Sequence, residues 1–179
     1  VNGYMSCQEL RAMSPTGFPD YVMAQALTDE RIPFETLRDT YFSAMFGPGW
    51  EEAAAFLERL SSLSDTDYWN NHGPRFQPFL ADRYRRMALL AEEFRTQIPL
   101  AQKEVWRRNW EYLDFHCRYT MLLAGALEQL SMGSQEEADR RFENFCDFIR
   151  REEPRHQGRL DVYRVIEVAT KYTGFSMPK

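Results

Sequence analysis

The residues with chemistry to offer are few: three histidines, three cysteines, four tryptophans and several adjacent pairs of glutamates. His72, His116 and His156 each lack a second histidine or a cysteine three or four residues away. That is the spacing that puts two metal ligands on one helix face. His116 flanks an apolar stripe beside Tyr112 and Tyr119, and reads as a hydrogen-bonded histidine at the edge of a core. The run Ser64-Asp65-Thr66-Asp67-Tyr68-Trp69-Asn70-Asn71-His72-Gly73-Pro74 gathers oxygen and nitrogen ligands in one loop. A calcium loop needs an oxygen at its fifth position, where this run has Trp69, and then a glycine, which does not follow. The same residues are ordinary turn formers. The sequence therefore predicts no metal site and no cofactor.

Glycoside chemistry needs two carboxylates that flank one bond. Glu51/Glu52, Glu92/Glu93 and Glu152/Glu153 are neighbours on helices, so the members of each pair point in different directions. Glu9 is the one acid just after a candidate strand. There is no glycine-rich phosphate loop and no Gly-x-Ser-x-Gly elbow. Among the tryptophans, Trp106 and Trp110 sit on an apolar stripe, while Trp69 lies in a polar loop and has a ring free to stack on a sugar. The candidate ligand-binding residues are Gln8, Glu9 and Trp69. No residue stands out as catalytic.

The elements that position these residues are helical. From Leu100 to Leu130, the residues Trp106, Trp110, Leu113, Cys117, Met121, Ala124 and Leu127 recur every three or four positions. Glu104/Arg108, Arg107/Glu111 and Asp114/Arg118 suit a wetted opposite face. Charges stop after Arg118, and Tyr119–Leu127 is apolar on every side, so this helix is expected to run from the surface into the middle of a bundle. That run is too short to span a membrane. Earlier helices are predicted at Tyr21–Leu27, from Pro33 to a stop at Gly47-Pro48, around Phe56, and over Phe76–Phe94. A later one opens at Ser134 with a capping box to Glu137 and ends before Pro154. Leu160–Thr173 carries β-branched residues that suit a strand, but the spacing of Val162, Ile166, Ala169 and Tyr172 favours a helix stopped by Gly174. The fold class is all-α: a multi-helix bundle around a long central helix, with a short irregular or strand-like N-terminal segment.

With 179 residues, 44% of them hydrophobic and 15% aromatic, the chain has enough apolar mass for one packed domain. A net charge of -5 argues against nucleic acid or an anionic membrane as partner. Cys117 and Cys146 fall on core faces, which favours a reduced, cytoplasmic compartment. Val1-Asn2-Gly3 reads as a start within a longer protein.

Three motifs resemble a known family. Gly-Tyr-Met-Ser-Cys-Gln (3–8), Pro-Thr-Gly-Phe-Pro-Asp-Tyr-Val (15–22) and Tyr-Phe-Ser-Ala-Met-Phe-Gly-Pro (41–48) resemble the C-terminal part of a bacterial family catalogued as domain of unknown function 4838. Its members are glycoside-hydrolase-like proteins, a barrel followed by a helical region. The resemblance implies that residues 1–30 are the last strand and helix of a preceding barrel, and that residues 31–179 are the C-terminal helical domain. It implies a structural, non-catalytic role beside the barrel, with carbohydrate as the ligand class and the barrel's acids lying upstream. An independent helical module for protein binding or self-association is the alternative.

Overall fold

A computed structural model describes Arg11 and residues 13–176. The strand expected at 3–8 lies outside the described residues. Eight α-helices and a closing π-helical turn make up the regular structure, and no strand forms among the described residues. In chain order they are α1 (Phe18–Thr28), α2 (Phe34–Phe46), α3 (Trp50–Leu63), α4 (Thr66–Trp69), α5 (Pro78–Arg95), α6 (Glu104–Ser131), α7 (Gln135–His156) and α8 (Val162–Val168), followed by the π turn Ala169–Thr173. The expected all-α bundle around a long central helix is what forms. α6 packs along α5 and α7, α2 rests on α3 and α6, and α3 rests on α5.

The apolar stripe on α6 is the centre of the core. Leu113, Cys117, Leu127 and Leu130 are buried there against Leu80, Tyr84 and Ala91 of α5 and Phe142, Phe145 and Ile149 of α7. Each large side chain of this kind contributes about 1.5–3 kcal/mol on burial. Leu123 and Ala126 are buried and Leu122 is half-buried, as expected for a stretch without charge. Among the described residues no helix is long and apolar enough to cross a membrane.

The structure corrects the sequence reading in five places. α6 starts at Glu104, not Leu100, and Leu100 is fully exposed. Ile98 and Ala101 pack on the core instead, which anchors the link from α5 in a non-helical form. Of the three charge pairs expected within α6, Glu104–Arg108 forms at 2.8 Å. Asp114 instead accepts from Arg95 of α5 at 2.6 Å, and Arg118 turns to Glu152 of α7 at 3.6 Å. Interhelical partners win because the early part of α6 is flanked, not free. The capping box at Ser134 does not close: the serine side chain makes no cap bond, and Glu137 is held by Arg140 and Arg141 at 2.6–2.8 Å. Pro154 lies inside α7, which runs on to His156. A proline in a last turn removes only one ladder bond, and buried His156, stacked 3.9 Å from Phe115, holds that turn down. Lastly, Thr66–Trp69 is a helical turn, so the polar loop is not continuous.

The ends of α2 and α6 are joined by side chains. Trp106 Nε1 donates to the Ala44 carbonyl at 3.1 Å, Asn109 Nδ2 to Met45 at 2.9 Å, and Trp110 Nε1 to Phe46 at 3.0 Å. Gly47 follows with φ at 68°, and a Cβ there would sit 2.3 Å from the Trp106 ring. The close approach needs glycine.

These burial differences give a paired test. Leu113→Ala, at a fully buried site, should cost about 2–5 kcal/mol in urea unfolding. Leu122→Ala, half-buried on the same helix, should cost less than about 1 kcal/mol.

Candidate functional site

One face of α6 looks into a cavity of about 890 Å³. Helical spacing places His116, Tyr119, Thr120, Leu123, Ala124 and Leu127 along its wall. α2, α3, α5, α7 and α8 contribute Phe42, Leu57, Met87, Phe145 and Val165, among others, and Ser14–Asp20 cover one side. A sealed, empty void of this size would cost on the order of 20 kcal/mol at roughly 24 cal/mol per Å³. That exceeds the roughly 5–15 kcal/mol by which a domain is stable at all. The space is therefore open to solvent or to an occupant.

Apart from the Asp20 carboxylate the polar groups of the wall are uncharged: the hydroxyls of Ser14, Thr16, Ser61, Ser64 and Thr120, the Trp69 indole, and the pair His116 and Tyr119. His116 Nδ1 and the Tyr119 hydroxyl are hydrogen-bonded across one turn of α6. Both side chains keep some accessible surface because they line the cavity, yet protein surrounds them. Burial pushes the His116 imidazole down to about 3 and the Tyr119 phenol up to about 12. At neutral pH the pair carries no charge, whichever of the two donates. Asp20 is the one charged residue of the wall among the described residues, and no lysine or arginine lines it. A sugar, whose every hydroxyl wants a partner, is poorly matched to such a wall.

Trp69 lies in this wall. It is half-buried, packs on the core, and its indole N–H is buried without an acceptor. α4 positions it. The Asp65 carboxylate accepts from the Tyr68 amide at 2.9 Å and caps the turn, and the Trp69 carbonyl accepts from Thr173 at 3.2 Å. Gln8 and Glu9 lie outside the described residues, so Trp69 is the one candidate whose surroundings are known. In the sequence His116 reads as a core-edge histidine, and Tyr119 as the start of the apolar run Tyr119–Leu127. Their apolar flanks were the signal for burial, and nothing in their spacing distinguishes a packed wall from a cavity wall.

The carboxylates of the loop and of the adjacent helix pairs form no common site. Asp65 caps α4 and meets Arg83 at 3.3 Å. Glu51, Glu52, Glu92 and Glu93 are exposed. Among the described residues no group of three or more histidine, cysteine or acidic side chains is placed to hold a metal ion. Cys117 and Cys146 are free and buried, and burial pushes both thiols up to about 12. A second cleft, of about 620 Å³, runs along α6 and α7. Several of its charges pair with one another: Arg95 with Asp114, and Arg118 and Arg155 with Glu152, which also lies 3.6 Å from His156 Nε2.

No known protein family matches the chain, and neither the curated proteins nor the solved structures compared with it give a match.

The neutral histidines set a pH dependence. His116 and His156 are both lowered, chiefly by burial, from the ordinary value of 6.5. The unfolded chain therefore takes up protons at these sites before the folded chain does. Stability is full above 6.5 and declines as the pH falls below it. Each such histidine adds up to about 1.4 kcal/mol per pH unit to that decline. Urea midpoints between pH 6.5 and 5 should fall accordingly, and His116→Gln should flatten the slope by up to about half.

Proposed function

We propose that this chain is a non-catalytic helical domain of a larger glycoside-hydrolase-like protein, seated against a preceding barrel. The observation that carries the reading is α1. Every residue of Phe-Pro-Asp-Tyr-Val-Met-Ala-Gln-Ala-Leu-Thr except Asp20, Gln25 and Thr28 is apolar, yet no residue of the helix is buried. Phe18 packs on Phe34, Tyr41 and Phe42, while Leu27 is 56% exposed. A helix this apolar is ordinarily covered. The resemblance of residues 15–22 to the last helical unit of a barrel supplies the cover, and residues 31–179 then form the domain that supports it. The chain leading into α1 is stitched to the bundle: Met13 N–H donates to Arg159 at 2.9 Å, and the Arg11 carbonyl accepts from Asp161 at 3.0 Å.

The alternative is a module for self-association or protein binding. Phe76, Phe79 and Met132 support it: they are 63%, 68% and 46% exposed where α5 begins and α6 ends. In that reading Phe79→Glu would dissolve an oligomer that the wild-type chain forms in sedimentation.

Hydrogen exchange of this chain, alone and continued upstream by the neighbouring coding sequence, tests the barrel reading. The amides of Val22, Met23 and Leu27 should slow by about tenfold or more in the longer protein. Leu27→Glu should leave the isolated chain within about 0.5 kcal/mol of the original and destabilise the longer one. Equal exchange in the two proteins, or turnover of aryl glycosides by the isolated chain, overturns the reading.

A further inference from the structure

The geometry points to the cavity beside α6 as a binding site for a neutral, largely apolar small molecule carrying one hydroxyl group, held at His116 and Tyr119. This inference does not use the barrel reading: it rests on a cavity walled by the bundle helices and, on one side, by Ser14–Asp20.

Four observations define the ligand. The cavity volume of about 890 Å³ is that of a site for a drug-sized molecule. Its wall is apolar, with Phe18, Phe42 and Phe145 among its aromatic members, so an apolar body is favoured and a polyhydroxylated one is not. Beside the hydroxyls of Ser14, Thr16, Ser61, Ser64 and Thr120, it holds a hydrogen-bonded pair on one turn of α6, His116 and Tyr119, whose phenol also bonds Ser14. A ligand hydroxyl is both donor and acceptor, and so fits whichever capacity that pair leaves open. The described wall has no cation and one carboxylate, Asp20. An anionic ligand would enter without a counter-charge, which costs far more than burying a neutral hydroxyl.

No covalent step is implied. His116 is held neutral by burial, and its partner is a protonated phenol, so the pair serves recognition. The chemical class is therefore a phenol or alcohol on an aromatic or aliphatic frame, discriminated from the matching carboxylate by charge.

The probes are 2-naphthol, naphthalene and 2-naphthoate, titrated into the whole chain at neutral pH by calorimetry. The expected result is one 2-naphthol per chain, bound about tenfold or more tighter than 2-naphthoate and tighter than naphthalene. Tyr119→Phe, which removes only the hydroxyl, should erase the preference for 2-naphthol over naphthalene while leaving both bound. Backbone amide shifts on the unmodified chain keep the test open if that variant does not fold. Shifts centred on Thr120, Ala124 and Leu127 are expected with 2-naphthol. No saturable binding, 2-naphthoate binding as well as 2-naphthol, or shifts centred on Phe76, Phe79 and Met132 instead would each overturn the assignment.

Discussion

Three consecutive carbonyls at the end of α2, those of Ala44, Met45 and Phe46, accept hydrogen bonds from side chains of α6. The last carbonyls of any helix lack partners within it. Here the donors sit at 106, 109 and 110, one turn of a neighbouring helix. Trp106, Asn109 and Trp110 thus do for α2 what a C-terminal cap does locally. The contact fixes where the two helices meet, and Gly47 permits it because any side chain there would strike the Trp106 ring. Asn109 extends the link. Its Oδ1 accepts from Arg159 at 3.1 Å, and the Arg159 guanidinium lies 3.9 Å over Tyr112. The Arg159 carbonyl in turn accepts from Met13. A short chain of hydrogen bonds therefore ties α2, α6, the turn before α8 and the segment leading into α1.

Much of this fold is legible as periodicity. The stripe of α6, the stop at Gly47-Pro48 and the helical reading of Val162–Val168 all follow from spacing and from glycine. Gly174, at φ 90°, ends the last turn as expected. What is not legible is choice of partner. Glu137 has both a capping role and two arginines within reach, and charge-assisted bonds to arginine displace a neutral cap. Asp114 and Arg118 have each other at helical spacing, yet both find partners on other helices. The tryptophans show the same limit: Trp106 and Trp110 lie on the apolar stripe, but their indole N–H groups act as caps, and Asn109 between them gives no sequence signal at all.

The candidate site was less legible than the fold. Tyr119–Leu127 has no charge, and that correctly places it inside. Burial and close packing are different properties, however. Leu123 and Leu127 are shielded from solvent, and both border the cavity. Whether facing helices meet or leave a gap depends on side-chain volumes summed over eight helices, and no local pattern encodes that sum. Trp69 illustrates the converse. Its polar neighbours suggest a ring on an open loop, yet Asp65 caps a helical turn that folds the ring back onto the core.

The two unexplained features of the molecule share one element. α1 is apolar on the outside without being buried, and its first turn contributes Phe18, Pro19 and Asp20 to the cavity wall. Whatever covers α1 therefore also sits at the rim of the cavity. The fastenings in this region are the packing of Phe18 and Tyr21 on aromatic side chains of α2 and a few polar bonds, such as Gly17 N–H to the Tyr41 hydroxyl at 2.9 Å, with no fully buried residue in α1. Segments held this way open at lower free energy than a packed core does. Covering α1 raises that opening free energy, and an occupant that touches Phe18 from within raises it too. Two ligands that stabilise the same local structure bind with positive coupling, and the coupling acts in both directions. The outer face of α1 and the interior of the bundle are thus linked through a single turn of helix.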